Sequence, residues 1–360
     1  MCIRDSSDAA PPDPSSIPLV TDAENSRNPS LAWTGTDLGL AWDREVGTST
    51  YDSVFARFGT DGTPRGAVTI ASDSQETMDL EWSTDRFAWL FSLFEGNRSN
   101  FYVQFIDGAG ATIAGPTQLG NTPHAPRTMA IDYGAALASA YFDNQGGQTL
   151  RLEVFDGSGS NQVGPVVLDS FGGSSGGPSI ARGADRYAVS WKVSDTTKVS
   201  GGYVRLVDFA GAPLTEPTLF SPDFQTTSEL IWTGSTFILA WTEQVDGTWT
   251  MNVAYVDGAG TVQDARALPG SSTRMAGLDA VWNGNELALA WADERDGNYE
   301  IYFASVGADL GLIESPTRVT TSERESDDPS IVATPSGYLI AYVEGERFDG
   351  GEAIYLVAAP

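Results

Sequence analysis

Two sets of side chains in this chain could do chemistry. The first is four arginines, Arg27, Arg127, Arg274 and Arg324, each shortly before an apolar run. Arginine's planar fork grips a carboxylate or phosphate through two parallel hydrogen bonds, so arginines converging on one point would make a strong anion clamp. The second set is acidic and follows the apolar runs: Asp43, Arg44 and Glu45; Asp143 and Asn144; Glu243 and Asp246; Asp293, Glu294, Arg295 and Asp296; Glu344, Glu346 and Asp349. Such a rim would hold a cation or an amine-bearing ligand. Hairpin tips also favour Asp, Asn and Gly for turn geometry alone, which gives the rim a purely structural explanation. Within it, Asp293, Asp296 and Asn298 offer the hard oxygen ligands that Ca²⁺ takes, without the spacing of a helix-loop-helix calcium loop. Cys2 and His124 are the only cysteine and histidine. A zinc site of the Cys/His type and an intrachain disulfide are therefore excluded. The run Gly173-Ser174-Ser175-Gly176-Gly177 lacks the lysine and the helix of a phosphate loop.

These residues hang on a repeat. An aromatic returns about every fifty positions, as Trp42, Phe91, Tyr141, Trp191, Trp241, Trp291 and Tyr342. The residues before each alternate large with small: Leu38, Leu40 and Trp42 on one parity, Gly39 and Ala41 on the other. Both parities are apolar, which predicts a strand buried on both faces. Upstream lie short apolar runs and Thr-Gly or Asn-Gly turns of hairpin type (TGTD, TGST, NGNE). Downstream come third strands at 54–58, 101–106, 150–155, 203–207, 251–256, 301–306 and 354–358. Asp-Gly turns follow several of them, and fourth strands are expected to open near Pro116, Pro165, Pro217 and Pro316.

Seven such units predict an all-β chain, a single seven-bladed β-propeller of four-stranded antiparallel blades. The last unit lacks a fourth strand, and residues 17–22 are a fourth strand without a blade. They are expected to pair with 354–358 and close the ring, removing an exposed edge. Residues 17–360 form the propeller in this reading. Residues 1–16 read as a disordered linker, and their first residues resemble an adapter-derived translation. No apolar run reaches the length of a bilayer-spanning helix.

The phrase Arg295-Asp296-Gly297-Asn298-Tyr299-Glu300-Ile301-Tyr302 resembles the hairpin of TolB-type propeller repeats. Asp328-Pro329-Ser330 with Ser336-Gly337-Tyr338-Leu339-Ile340-Ala341-Tyr342 is similar to the same repeat. The chain also resembles secreted bacterial propellers whose repeats read Pro-Ser-apolar, then Gly, then apolar-Ala-Trp. The resemblance implies a periplasmic, extracellular or surface-anchored protein of a bacterium, such as a lipoprotein. The arginine set is similar to that of sialidases, propellers that grip a carboxylate with three arginines; their Tyr–Glu nucleophile pair and their Ser-x-Asp-x-Gly-x-x-Trp box are not identifiable here.

With 48 acids against 20 bases the formal net charge is −28. Nucleic acid and anionic membranes would be repelled. The expectation is an exported binding or scaffold protein that presents an acidic loop face to a protein or glycan, monomeric and without a cofactor unless Ca²⁺ binds. A carbohydrate-active enzyme using the same face, sialidase-like or a lyase, and a structural module of a larger cell-surface protein are the alternatives.

Overall fold

The computed structural model describes residues 15–21, 25–47, 50–95, 98–119, 129–133, 136–143, 148–195, 198–345 and 351–360. They form 27 strands and no helix. The strands build seven antiparallel blades around a central channel. Five blades are separate four-stranded sheets, and the first two are fused into one seven-stranded sheet. The fusion comes from Thr69–Ser83, a 15-residue strand. Its first half is the outer strand of blade 1, paired with Thr50–Phe58, and its second half is the inner strand of blade 2, paired with Arg86–Glu95.

The aromatic of each repeat lies in the second strand of its blade. All seven are buried, at 5% exposure or less. The large parity of one blade packs on the small parity of the blade before it. Leu38, Leu40 and Trp42 meet Ala341 and Val343. Phe237, Leu239 and Trp241 meet Ala181 and Ala188. Leu287, Leu289 and Trp291 meet Ile238 and Ala240, and Tyr338, Ile340 and Tyr342 meet Ala288, Ala290 and Ala292. The period-two alternation is thus an inter-blade fit, and it explains why no face of these strands is polar.

The ring closes as the sequence predicts. Ile17–Val20 pairs antiparallel with Ala353–Ala359, with Ile17 opposite Leu356 and Val20 opposite Ile354. The inner strand of that blade is Glu325–Thr334, which packs beside Ser26–Trp33 of blade 1.

The outer strands differ from expectation in one respect. Pro217 precedes its strand, Thr218–Ser221, but Pro116, Pro165 and Pro316 lie inside theirs, Thr112–Leu119, Asn161–Phe171 and Leu312–Arg318. The pairing skips at each: Val103 faces Thr117 while Phe105 faces Ala114, and Leu152 faces Val166 while Val154 faces Val163. An outermost strand has one neighbour only, so a proline turned away from it, at a bulge, forfeits no ladder hydrogen bond.

The inner strands carry a repeated bulge where they enter the channel. Asn28, Gly177, Gly277 and Asp328 adopt left-handed backbone, with φ of 51°, 52°, 49° and 48°. Pairing skips there in each strand. Asn, Asp and Gly are the residues that tolerate this conformation, which is why the bulges read Asn-Pro-Ser, Gly-Pro-Ser, Gly-Leu-Asp and Asp-Pro-Ser.

Candidate functional site

Just after each bulge, the inner strands present one equivalent position to the channel: Ser30, Asp79, Ser179, Glu229, Asp279 and Ser330. They line a cavity of about 600 Å³ together with Glu81. Several of these side chains stitch neighbouring blades. Ser179 Oγ accepts from Leu230 N (3.0 Å), Asp279 Oδ2 from Ile331 N (2.7 Å) and Ser330 Oγ from Leu31 N (3.0 Å). At these three positions an oxygen takes the N–H of the next blade, whether it belongs to a hydroxyl or a carboxylate.

Glu229 departs from that pattern. Its Oε2 accepts from Ser179 Oγ at 3.2 Å. Enclosure by the ring drives its carboxyl well above the usual range, and the charges of Asp279 and Asp79 push it further the same way. Burial also raises Asp279, against the hydrogen bonds from Ile331, Ala280 and Ser330. Arg182 is the one basic side chain lining this cavity among the described residues. It lies 4.0 Å from the Phe209 ring centre and donates to the Tyr187 hydroxyl (3.0 Å). The channel is therefore lined by four acids, Asp79, Glu81, Glu229 and Asp279, against one basic side chain among the described residues, an environment that favours an incoming positive charge. Sequence reasoning missed it because it looked to loops. The available signal was spacing: each of the six lies twelve positions before the aromatic of its repeat.

The rim acids are largely structural. Two residues along a strand is one face, so an acid two positions past the aromatic meets its polar tip. Trp291 Nε1 donates to Asp293 (3.0 Å) and Trp241 Nε1 to Glu243 (3.3 Å), while Tyr342 OH lies 3.5 Å from Glu344. Asp293 and Glu344 are buried. Asp43 is fully buried between blades 1 and 2, where it accepts from Asn28 Nδ2 (2.8 Å), Ser53 Oγ (2.9 Å) and Thr77 N (2.6 Å). Burial outweighs those three bonds and lifts its carboxyl to about 7. Asp143 ends the strand Leu137–Asp143, and its side chain is outside the described residues.

The three residues whose oxygens could ligate Ca²⁺ each bond elsewhere in the protein, Asn298 through its amide nitrogen. Asp293 pairs with Arg295 (2.5 Å), Asp296 accepts from Tyr302 OH, and Asn298 Nδ2 donates to the carbonyls of Ser322 (3.2 Å) and Arg324 (2.8 Å). Among the described residues there is no group of three His, Cys, Asp or Glu side chains placed to hold a metal ion.

The arginines stay within their own blades. Arg27 lies over Tyr51, 3.8 Å from the ring centre, and Arg274 over Tyr299 at 5.5 Å. Arg324 donates to the Gly351 carbonyl (2.9 Å). None of the three forms an ion pair among the described residues. Arg127, like Cys2 and His124, lies outside them. Arg27 lines a cleft of about 370 Å³ between blades 7 and 1, with Asn25, Asn28, Glu45, Tyr51, Asp327, Asp328 and Glu352.

No family model and no curated protein matches the chain. Among solved structures it is similar to the BP39L lectin of Burkholderia pseudomallei (12% identity, TM-score 0.61, covering 95% of this chain and 97% of that one). It is also similar to the β-propeller domain of the Trilobed protease of Pyrococcus furiosus (9% identity, TM-score 0.58, 94% and 97%). A third, the Pyrococcus horikoshii acylaminoacyl peptidase, matches at 12% identity and TM-score 0.55 over 93% of this chain, which spans about half of that protein. At these identities the likeness is one of fold, the β-propeller.

Proposed function

We propose that this chain is an exported, non-enzymatic binding propeller whose acidic channel and adjoining face take a positively charged group of a protein or glycan partner. The observation that carries the reading is Glu229, a carboxyl enclosed by the ring and crowded by Asp79 and Asp279, with a serine hydroxyl as its hydrogen-bond partner. An ammonium or guanidinium entering the channel would relieve that crowding and let Glu229 ionise. The sialidase-like alternative would need three arginines on one carboxylate. Arg27, Arg274 and Arg324 are instead spent on an aromatic ring or a carbonyl of their own blades. A lectin and a protease-associated propeller among the structural neighbours are in keeping with a glycan or protein partner. Export rests on the strongly acidic composition and on the TolB-type likeness of the residues around Arg295 and Ser330.

The test is calorimetry at pH 7 with spermidine and an oligolysine peptide, repeated in two buffers of different ionisation heat. Any protons released on binding come from the raised carboxyls of the channel, and Glu229→Gln should reduce the release. A glycan array and a panel of chromogenic glycosides complete it. Turnover of any glycoside, or no binding of either cation, overturns the reading.

A further inference from the structure

The cleft between blades 7 and 1 is separate from the channel and has a different chemistry. Its volume, about 370 Å³, falls in the range of roughly 300–1,000 Å³ typical of small-molecule pockets. In its lining the Arg27 guanidinium is stacked on Tyr51. Its Nε is enclosed and has no hydrogen-bond partner among the described residues. Arg27 forms no ion pair among the described residues, so the rest of the guanidinium, lining the cleft, can take an acceptor supplied from outside. The lining also holds Glu45, Asp327, Asp328 and Glu352. Glu45 is fixed by Asn25 Nδ2 (2.5 Å), and Asn25 is itself fixed through Oδ1, which accepts from Gly351 N (2.6 Å). The donors and acceptors are thus held in place before any ligand arrives.

This combination selects a ligand class. An anion would satisfy Arg27 but meet four acids. A cation would suit the acids but leave the Arg27 N–H unmet and face its charge. Vicinal hydroxyls answer both, since each accepts from a guanidinium and donates to a carboxylate at once. We propose that this cleft binds a neutral polyhydroxylated ligand, a sugar ring, with Arg27 donating to ring hydroxyls and the lining carboxylates accepting from them.

Saturation-transfer NMR and calorimetry on the full chain, with the methyl glycosides of galactose, fucose, mannose and glucose, test this. At least one should bind. Arg27→Ala should weaken it about 10-fold or more, the scale of one or two hydrogen bonds to a charged group, and Glu45→Gln should weaken it as well. Glu229→Gln should leave it unchanged, so that this site and the channel fail independently. A circular-dichroism melt confirms that Arg27→Ala is folded, and Arg27→Lys, which keeps the charge but loses the fork, should bind weakly. No binding by any glycoside, binding unaffected by Arg27→Ala, or displacement of the sugar by acetate or spermidine would each overturn the assignment.

Discussion

Replacing Asp43 by asparagine should change how stability depends on pH. Asp43 is fully buried at the junction of blades 1 and 2 and titrates at about 7, against an ordinary value of 3.8. Below pH 4 it is protonated in both the folded and the unfolded chain. Between 4 and 7 the folded protein keeps a proton that the unfolded chain has released, so the native state loses stability as pH rises. The loss is complete above pH 7 and amounts to about 4 kcal/mol, at about 1.36 kcal/mol for each pH unit between the two values. Asparagine cannot ionise. It can still accept from Ser53 and Thr77, but its amide faces that of Asn28, which costs about 1 kcal/mol at every pH. Urea denaturation of both proteins from pH 4 to 8 separates the two effects. The difference in unfolding free energy between variant and parent should swing by about 4 kcal/mol toward the variant, with unchanged m-values. Parallel curves across that range would refute the reasoning. They would mean that the three donors hold Asp43 ionised throughout.

Three further outcomes follow from the packing. Ser179→Ala should cost about 1–3 kcal/mol in denaturant unfolding, because Leu230 N–H loses its acceptor inside the wall; Ser30→Ala, at the equivalent position but bonded to no neighbouring blade among the described residues, should stay within about 0.5 kcal/mol. Trp191→Ala removes a fully buried side chain from the seam of blades 3 and 4 and should cost about 3–5 kcal/mol by the same measurement. Val20→Asp places a charge in the closing strand, where Val20 is buried; amide exchange at Ile354 and Leu356 should accelerate while exchange at Leu239 and Leu289 stays slow.

The ring and its closure were legible in the sequence because the repeat wrote them seven times. Alternation around each aromatic gave the second strands, and the orphan strand at Pro18 gave the clasp. The third strands contain every expected segment; Gln148–Phe155 and Thr248–Val256, for instance, hold 150–155 and 251–256. The fusion of blades 1 and 2 was not legible, since a strand that serves two blades has no break to mark it. The acids of the channel were not legible as a set. Acid residues look alike in a sequence, and only the fold separates Asp293, which caps a tryptophan, from Glu229, which faces a channel. The turn acids show the same limit. Asp156, Asp208 and Asp257 each accept backbone N–H groups of their own hairpin turns, so part of the negative charge is turn chemistry.

The shared strand Thr69–Ser83 gives the ring one stiff arc, where two blades cannot part without breaking a continuous sheet. The ring closes elsewhere, at a clasp of four residues, Ile17–Val20, that joins segments almost a whole chain apart. Closing so long a loop carries a large entropic cost and belongs to the last stage of folding. Until it closes, the edge of Ala353–Ala359 offers the same hydrogen bonds to the Ile17–Val20 strand of a second copy. The closed monomer wins because its own strand is tethered at high effective concentration, and the competing product, formed in concentrated refolding, is a pair of rings that have exchanged clasps.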